Sequence, residues 1–421
     1  MNSPNSKPSP RFIQNVYLTL TLFSTLAASF IWGINTLFQL DGGLTNAQAF
    51  LANAFFTAGM MLFEIPTGVV ADLRGRRLSY LLGTITLVIT TLIYVYAWSE
   101  AAPFWVWAVN SVLTGLGFTF FSGATEAWLV DALHHSGYEG ELDEIFARGQ
   151  SVYGVAMLVG ALAGGWIAQA SDLGMPFLLR AVLLAVTFAV GFFFMRDWGW
   201  EPEKSINLRA DIRQLFSTSI DLGLRNKQIR WVMLAAPFAG GVGIYVFYAM
   251  QPHLLTLFGD SQAYGIAGLT AAIMAGAQIV GGLLAPSVRR LFPSRTSALL
   301  TGAIFNAILL FALGQTMNFW LAVAIVSLWA LFFAAVMPLR QAYLNEHIPS
   351  KQRATVLSFD ALMSSAGGVA IQPALGRTAD LAGYLQSFMV SSGIYALAVP
   401  LTWLAHRQNK QTGEGPAGNS D

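Results

Sequence analysis

The sequence has no cysteine and few charged residues. The absence of cysteine excludes disulfide bonds, thiolate metal sites and cysteine nucleophiles. Only 11% of the 421 residues are charged, against roughly 25% in a soluble globular protein, and 55% are hydrophobic. A soluble chain of this length cannot bury so much apolar surface. The composition therefore predicts an integral membrane protein that uses the bilayer as its solvent.

Other absences narrow the function. The formal net charge of +1 gives no electrostatic basis for binding nucleic acid. The five histidines show no metal-ligand spacing, and no phosphate-binding glycine loop, serine-hydrolase elbow or zinc-protease motif occurs. We therefore expect no metal, no cofactor and no enzymatic activity. Residues 1–10 are polar and proline-rich, which indicates a short tail rather than a signal peptide.

Twelve stretches are apolar enough to cross a bilayer as helices, which takes roughly 20 residues each. These predicted spans lie near 14–38, 47–71, 78–98, 103–129, 147–170, 176–195, 229–256, 263–287, 296–315, 319–344, 354–379 and 384–405. With the N-terminus on the cytoplasmic side, all of the 23 lysines and arginines except Arg180 and Arg377 fall on that side. This asymmetry predicts that both termini are cytoplasmic.

One long connection divides the predicted spans into two sets of six. It covers residues 196–228, between an N-terminal bundle (14–195) and a C-terminal bundle (229–406), with tails at 1–13 and 407–421. Apolar residues at helical spacing predict an amphipathic helix on the inner membrane surface within this connection. They are Leu208, Ile212, Leu215, Phe216 and Ile220.

The two halves also resemble each other. Residues 125–131 read Thr-Glu-Ala-Trp-Leu-Val-Asp, and residues 340–346, six spans later, read Arg-Gln-Ala-Tyr-Leu-Asn-Glu. Alanine, an aromatic residue, leucine and a final acid coincide, which indicates an internal repeat. The predicted fold class is an all-α membrane protein with twelve transmembrane helices in two pseudo-symmetric six-helix bundles.

The segment between the second and third spans carries a specific motif. Residues 68–77 read Gly-Val-Val-Ala-Asp-Leu-Arg-Gly-Arg-Arg. Gly68 permits close helix approach, Gly75 allows a tight turn, and Asp72 suits the positive N-terminus of a neighbouring helix. The spacing resembles the G-x-x-x-D-x-x-G-R-R signature of the major facilitator superfamily. Together with the twelve spans and the long central connection, the resemblance extends over nearly the whole chain.

This resemblance implies a transporter that works by alternating access and a motif that locks its halves together in the outward-open state. The helix that begins near Ala354 is then the partner of Asp72. Asp131 is expected to pair with Arg76 or Arg77, and Arg148 to join them. Alternatively, the motif arginines serve only as topology anchors. In the second half, Glu346 is expected to pair with Arg289 or Arg290.

Pairs of small residues on spans two, five, eight and eleven, the last three of them four residues apart, are expected to pack the seam between the halves, or to serve ordinary helix packing. They are Gly59 and Gly68, Gly160 and Gly164, Ala277 and Gly281, and Ser364 and Gly368.

Acidic residues inside predicted spans are costly and are functional candidates by default. Glu64, Glu126, Asp131 and Asp360 are of this kind. Burial favours the protonated form of a carboxyl, so such a group can carry a proton, or it can be purely structural. We expect Glu126 to carry the proton because span four borders the central cavity in the resembled fold. Glu64 and Asp360 are the alternatives, and Asp131 is expected to be structural or gating.

Spans one, four, seven and ten surround the cavity in the resembled fold. The candidates for substrate contacts on these spans are Asn35, Gln39, Asn110, Tyr245 and Tyr248.

Two further segments give weaker indications of the direction of transport and of its coupling to protons. Residues 160–165 read Gly-Ala-Leu-Ala-Gly-Gly and resemble the end of an antiport signature, G-P-x-x-G-G, with Ala161 in place of proline. The arginine that drug-efflux members place four residues before a glycine is absent, because Ser111 precedes Gly115. We expect a monomer in the cell (inner or plasma) membrane that exports a small amphiphilic organic compound by proton antiport. The alternatives are an uptake carrier or facilitator for a small metabolite, and a membrane sensor that transports nothing.

Overall fold

The computed structural model describes most of the chain, and its described residues are 8–121, 123–202, 217 and 220–411, without the side chains of Leu222, Lys351 and Ala354. Within this part the protein is all-helical and contains no β-strand, which confirms the predicted all-α class. A π turn at Ile220–Leu224 and a 3-10 turn at Ser350–Gln352 accompany the α-helices.

The α-helices follow one another with short connections, and we number them in chain order. They are α1 (Pro10–Ser29), α2 (Asn35–Asp41), α3 (Asn46–Arg74), α4 (Arg76–Ser99), α5 (Phe104–Phe121), α6 (Ala124–Ser136), α7 (Leu142–Ala170), α8 (Gly174–Phe194), α9 (Arg230–Phe258), α10 (Tyr264–Leu291), α11 (Arg295–Leu313), α12 (Phe319–His347), α13 (Arg353–Ala396) and α14 (Ala398–Gln411).

Helix ends occur where the local sequence supplies caps. The Ser9 hydroxyl accepts a hydrogen bond from the Phe12 amide at 3.3 Å and starts α1. Gly137 and Gly259 follow α6 and α9 in the left-handed region, with φ of 76° and 84°, where glycine carries no steric penalty. Polar and glycine positions between apolar runs therefore set the observed helix ends.

Ten helical stretches of the described chain are long and apolar enough to cross a membrane. Each predicted span from 47–71 to 319–344 falls on one of them. The predicted first span, 14–38, does not, and it is divided between α1, which ends at Ser29, and α2, which begins at Asn35. Residue Gly33 lies in this gap, and a Cβ there would be within 2.9 Å of the Ala271 side chain on α10.

The tenth apolar stretch contains both of the last two predicted spans. It runs over Thr355–Gln411, and its 57 residues correspond to about 85 Å of helix, well over twice the hydrocarbon thickness of about 30 Å. Gly383, inside α13, has φ 86° and ψ 170°, which are not helical values. The chain therefore turns at Gly383, between the predicted spans 354–379 and 384–405.

The predicted fourth span, 103–129, is wrong as one continuous helix. The helix α5 ends at Phe121, and α6 begins at Ala124 after Gly123, which has φ 71°. A left-handed glycine cannot continue an α-helix, so the chain starts a new one. Glu126 consequently lies in the first turn of α6, where the helix dipole favours a negative charge.

Contacts divide the chain into two compact units. Unit 1 holds the described residues of 1–43, 55–208 and 264–272, and unit 2 holds those of 44–54, 209–263 and 273–421. The first turns of α3 therefore belong to unit 2 and its remainder to unit 1, whereas α10 begins in unit 1 and continues in unit 2. The predicted division into bundles 14–195 and 229–406 includes no such exchange of segments.

Glycines allow helices to approach closely inside unit 1. A Cβ at Gly59 would collide with the Val112 backbone on α5, and one at Gly164 with the Phe30 carbonyl beyond α1. These two glycines pack helices within one unit, which is the ordinary packing role. The predicted close approach at Gly68 is wrong, since a Cβ there would meet nothing within 4 Å.

Most of the predicted amphipathic helix lies outside the described residues. This applies to Leu208, Ile212, Leu215 and Phe216. Ile220 begins the π turn Ile220–Leu224 and is exposed.

Candidate functional site

The predicted motif forms the turn between α3 and α4. Gly75 caps the N-terminus of α4 with φ 103°, so the predicted tight turn is confirmed. A Cβ at this position would collide with the carboxylate of Asp197. Glycine is therefore required here both by the backbone conformation and by the neighbouring acid.

Asp72, Arg76 and Asp131 form a charged group at this turn. The Arg76 guanidinium pairs with the Asp72 carboxylate at 2.5 Å, one helical turn earlier. Arg76 Nε also lies 3.9 Å from Asp131 Oδ2, so the structure brings together the predicted pair. All three side chains are partly buried, which weakens screening by water.

Arg77 is held by the segment that follows α8. Its backbone amide donates to Asp197 Oδ1 at 2.8 Å, and its Nη2 donates to the Phe192 carbonyl at 2.7 Å. The indole of Trp128 donates to the Arg196 carbonyl at 2.7 Å and fixes this segment. Burial raises the pKa of Asp197 above its usual value, although the Arg77 amide and the Arg77 and Arg76 charges oppose the shift. Asp197 was not predicted, because it lies 120 residues from the motif amide that it binds.

Two predicted contacts of arginines take other forms. Arg148 is exposed and lies 3.7 Å from Glu144 on its own helix, so the predicted contact with Asp131 is not formed. Glu346 pairs with Arg295, at the start of α11. The carboxylate at the end of α12 therefore pairs with the first residue of the preceding helix, α11, rather than with Arg289 or Arg290 at the end of α10.

Unit 2 contains a buried ion pair within its apolar helices. Arg340 on α12 binds Asp360 on α13 through two hydrogen bonds, Nη1 to Oδ2 and Nη2 to Oδ1, both of 2.6 Å. The exposed side-chain fractions are 18% for Arg340 and 9% for Asp360. Among the acidic residues that the structure describes, only Asp360 is buried. This parallel, two-bond geometry is the strong form of an arginine–carboxylate pair.

A small cavity, lined mainly by apolar side chains, adjoins this ion pair. Its volume is about 60 Å³, and Arg340, Asn306, Tyr395 and Thr402 contribute polar groups to its wall. Asn306 is buried; its amide nitrogen donates to the Gly302 carbonyl, and its Oδ1 has no hydrogen-bond partner. Water needs roughly 10–15 Å³ of such space and polar partners, so this cavity has room for water beside the ion pair.

The glutamates expected to be buried are not covered by protein. Glu64 on α3 and Glu126 in the first turn of α6 both have exposed side chains, so the protein itself covers neither carboxylate. The prediction followed from their positions along the spans, whereas the rotation of each helix decides which side chains the protein covers.

The predicted substrate-contact residues occupy different surroundings. Asn110 is buried, and its amide donates to the Thr90 carbonyl on α4 at 2.9 Å, so it joins two helices of unit 1. Tyr245 is buried in unit 2 and shares a 2.5 Å hydrogen bond with the Ser387 hydroxyl. Gln39 is buried in α2, whereas Asn35 and Tyr248 are partly buried.

Comparisons with known proteins agree with this architecture. Residues 17–305 match the family model described as Major Facilitator Superfamily. An uncharacterized MFS-type transporter of Methanocaldococcus jannaschii is 24% identical over 239 residues. The match covers 56% of this chain and 60% of that relative, so the chain spans less than two thirds of the relative's length.

Solved structures of membrane transporters have a similar fold. A mutant of the nucleoside transporter NupG matches 94% of this chain and all of its own, with 14% identity and a TM-score of 0.74. A bacterial homologue of the human lysosomal transporter Spinster, inward-facing and unoccupied, matches 98% of this chain and all of its own, with 17% identity and a TM-score of 0.71. A D-xylose–proton symporter matches 94% of this chain and 96% of its own, with 17% identity and a TM-score of 0.65.

Proposed function

Because the chain belongs to the Major Facilitator Superfamily, we propose that it is a secondary active transporter that couples protons to a small organic compound. It crosses the bilayer twelve times in this proposal. The stretch Thr355–Gln411 is long enough for two crossings, and α1 with α2 supplies the first. Alternating access follows from the family's two-bundle construction.

The buried Arg340–Asp360 pair is the single observation that carries proton coupling. Protonation of Asp360 removes its negative charge and leaves the Arg340 cation without its buried counter-ion. A buried unpaired charge is strongly unfavourable, so uptake of one proton favours a conformation in which Arg340 finds water or another anion. The adjoining cavity beside Asn306 offers room for the water that delivers the proton. Asp360 therefore replaces Glu126 as the proposed proton carrier.

The proposed direction is efflux of an amphiphilic compound by proton antiport across the cell membrane, with both termini in the cytoplasm. The 160–165 string and the charge asymmetry of the sequence support this direction and orientation. Uptake of a small metabolite is the second candidate. It is favoured by the fold likeness to a nucleoside transporter and a D-xylose–proton symporter.

Transport by purified protein in liposomes tests the proposal. A compound panel that includes nucleosides, sugars and amphiphilic cations is assayed for flux driven by an imposed pH gradient. We expect gradient-driven flux for the unmodified protein. In Asp360→Asn this flux is lost, whereas exchange of labelled for unlabelled substrate without a gradient remains. Exchange survives because it requires no net proton movement.

Two matched variants separate coupling from general damage. Asp221→Asn breaks an exposed Asp221–Arg225 pair of the same chemistry, whose oxygen and nitrogen lie 2.6 Å apart, and should transport normally. Glu126→Gln should retain gradient-driven flux. Full driven flux in Asp360→Asn, or its loss only in Glu126→Gln, contradicts the assignment of Asp360. Flux that never responds to a gradient makes the protein a facilitator.

A further inference from the structure

A carboxylate of α13 holds the first turn of α3 within unit 2. Asp380 Oδ1 accepts the Asn46 amide and Oδ2 accepts the Ala47 amide, both at 2.9 Å. The Tyr384 hydroxyl, just past the turn at Gly383, donates to the Asn46 side-chain oxygen. We call these four residues, Asp380, Tyr384, Asn46 and Ala47, the Asp380 clasp.

The helix α3 has a local cap besides its contact with Asp380. The first four amides of a helix have no partner inside the helix. Thr45 and Gln48 form a local capping box, in which the Gln48 amide donates to the Thr45 hydroxyl at 3.3 Å and the Thr45 amide donates to the Gln48 side chain at 3.0 Å. Asp380 takes the next two amides from a position more than 330 residues away. The clasp is therefore a long-range contact added to a helix that is already capped.

Packing around the clasp brings the two backbones close together. A Cβ at Gly376, one turn before Asp380, would lie 2.8 Å from the Phe50 ring and 2.9 Å from the Asn46 carbonyl oxygen. A charged carboxylate at a helix N-terminus gains from the helix dipole and from charge-assisted hydrogen bonds to the amides. Close backbone approach and this charge together make the contact sensitive to the loss of one acceptor.

The clasp lies at the opposite end of α3 from the 68–77 motif. Asn46 and Asp72 are 26 residues apart on one helix, or about 39 Å, which exceeds the hydrocarbon thickness of about 30 Å. We infer that the Asp380 clasp is a gate that closes the transporter at the α3 N-terminal side and opens in every transport cycle. This inference rests on the proposed alternating-access transport, and it assigns gating to residues that carry no recognisable motif.

Labelling of a buried cysteine measures opening directly, since the natural chain has no cysteine. Ala52 lies on α3 in unit 2 and is 0% exposed, so Ala52→Cys introduces a protected thiol. The protein is placed in lipid nanodiscs, and its rate of reaction with a polar maleimide is measured. In Asp380→Asn, the single amide oxygen replaces two acceptors and the new NH₂ faces a backbone N–H. We expect labelling at least about tenfold faster, equivalent to about 1.4 kcal/mol.

Matched controls exclude general loosening. Asp172 Oδ1 accepts the Gly174 and Met175 amides at 2.8 and 2.9 Å, so it caps α8 from the adjacent loop. Asp172→Asn in the Ala52→Cys background should leave the rate unchanged. Ser99→Cys, at an exposed position, should label equally fast with and without Asp380→Asn.

Separate measurements distinguish a loss of folding or of transport from a loss of the gate. Elution of Asp380→Asn as a single species in size-exclusion chromatography confirms that the variant is folded. An unchanged labelling rate in folded Asp380→Asn, or an equal rise in Asp172→Asn, overturns the gate. The measurement uses neither substrate nor gradient. If Asp380→Asn does not raise the labelling rate while the unmodified protein shows gradient-driven flux, the result refutes the gate alone. If Asp380→Asn raises the labelling rate but the unmodified protein shows no gradient-driven flux, the result refutes only the proposed coupling.

Discussion

Breaking the Arg340–Asp360 pair from either side should destabilise the protein unequally. Asp360→Asn leaves Arg340 as a buried cation, with the Val232 carbonyl as a remaining acceptor at 3.3 Å. Arginine cannot lose its proton at accessible pH, so the charge stays. Arg340→Met leaves Asp360, which can shed its charge by binding a proton. Asp360→Asn should therefore cost more than Arg340→Met.

The size of the effect follows from burial and geometry. Two unit charges about 4 Å apart attract by about 4 kcal/mol at an effective dielectric constant of about 20. Removing one partner of a buried pair typically costs about 3–5 kcal/mol, whereas replacing both by apolar residues is often neutral. We expect a loss of about 3–5 kcal/mol for Asp360→Asn. Arg340→Met with Asp360→Leu should lie within about 1 kcal/mol of the natural protein.

Unfolding in mixed micelles of mild detergent and dodecyl sulfate, followed by the fluorescence of the 12 tryptophans, provides the assay. A double-mutant cycle isolates the coupling energy between the two side chains. The exposed Asp221–Arg225 pair is the control, and its cycle should give about 0.3–0.5 kcal/mol, as for other pairs one helical turn apart. The reasoning is refuted if the losses of unfolding free energy for the Arg340 and Asp360 substitutions are additive, or if Asp360→Asn costs less than about 1 kcal/mol. Either result would show that water already screens the pair.

The remaining predictions concern the turn between α3 and α4. Asp72→Asn should fold but slow transport, because it removes the carboxylate that pairs with Arg76 at 2.5 Å; full transport by a well-expressed variant contradicts the gating role. In double-mutant cycles on thermal unfolding, Arg76 should couple more strongly to Asp72, at 2.5 Å, than to Asp131, at 3.9 Å; the reverse order would place the charge of Arg76 nearer to Asp131. Asp197→Ala should cost about 1 kcal/mol through loss of the cap on α4. Since burial raises the pKa of Asp197, the folded chain binds this proton more tightly than the unfolded chain. The natural protein should therefore gain stability relative to Asp197→Asn as the pH falls from 7 toward the ordinary aspartate pKa of about 3.9; parallel stability curves would contradict this.

Hydropathy was sufficient to predict most of the long helices, and a glycine was sufficient to predict the turn of the motif. Long apolar runs have few alternatives to a helix in lipid, so the spans from 47–71 to 319–344 fall on observed helices. The Gly75 turn followed from a glycine between two charged residues. The break at Gly123 escaped prediction because this glycine stands in an apolar string that also contains helical glycines such as Gly115 and Gly117.

The charged contacts were harder to predict because the partners lie far apart in the sequence. Arg340 was counted only as a positive residue near the membrane surface, yet it is turned inward to Asp360. Asp197 and Asp380 reach backbone amides 120 and more than 330 residues away, and neither stands in a motif. Helix rotation and long-range packing decide such contacts, and a single sequence records neither.

The division of α3 between the two units has a mechanical consequence. Its first turns are fixed in unit 2 by the clasp, and its last turns carry Asp72 in unit 1. A continuous helix transmits displacement as a lever does, and over about 39 Å a tilt of about 5° moves the far end by about 3 Å. Pro66 has no amide hydrogen and therefore removes one backbone hydrogen bond of α3, which makes the helix easier to bend near the motif. A displacement of Asn46 by the Asp380 carboxylate that binds its amide would thus also move Asp72, with no chain of side chains needed between them.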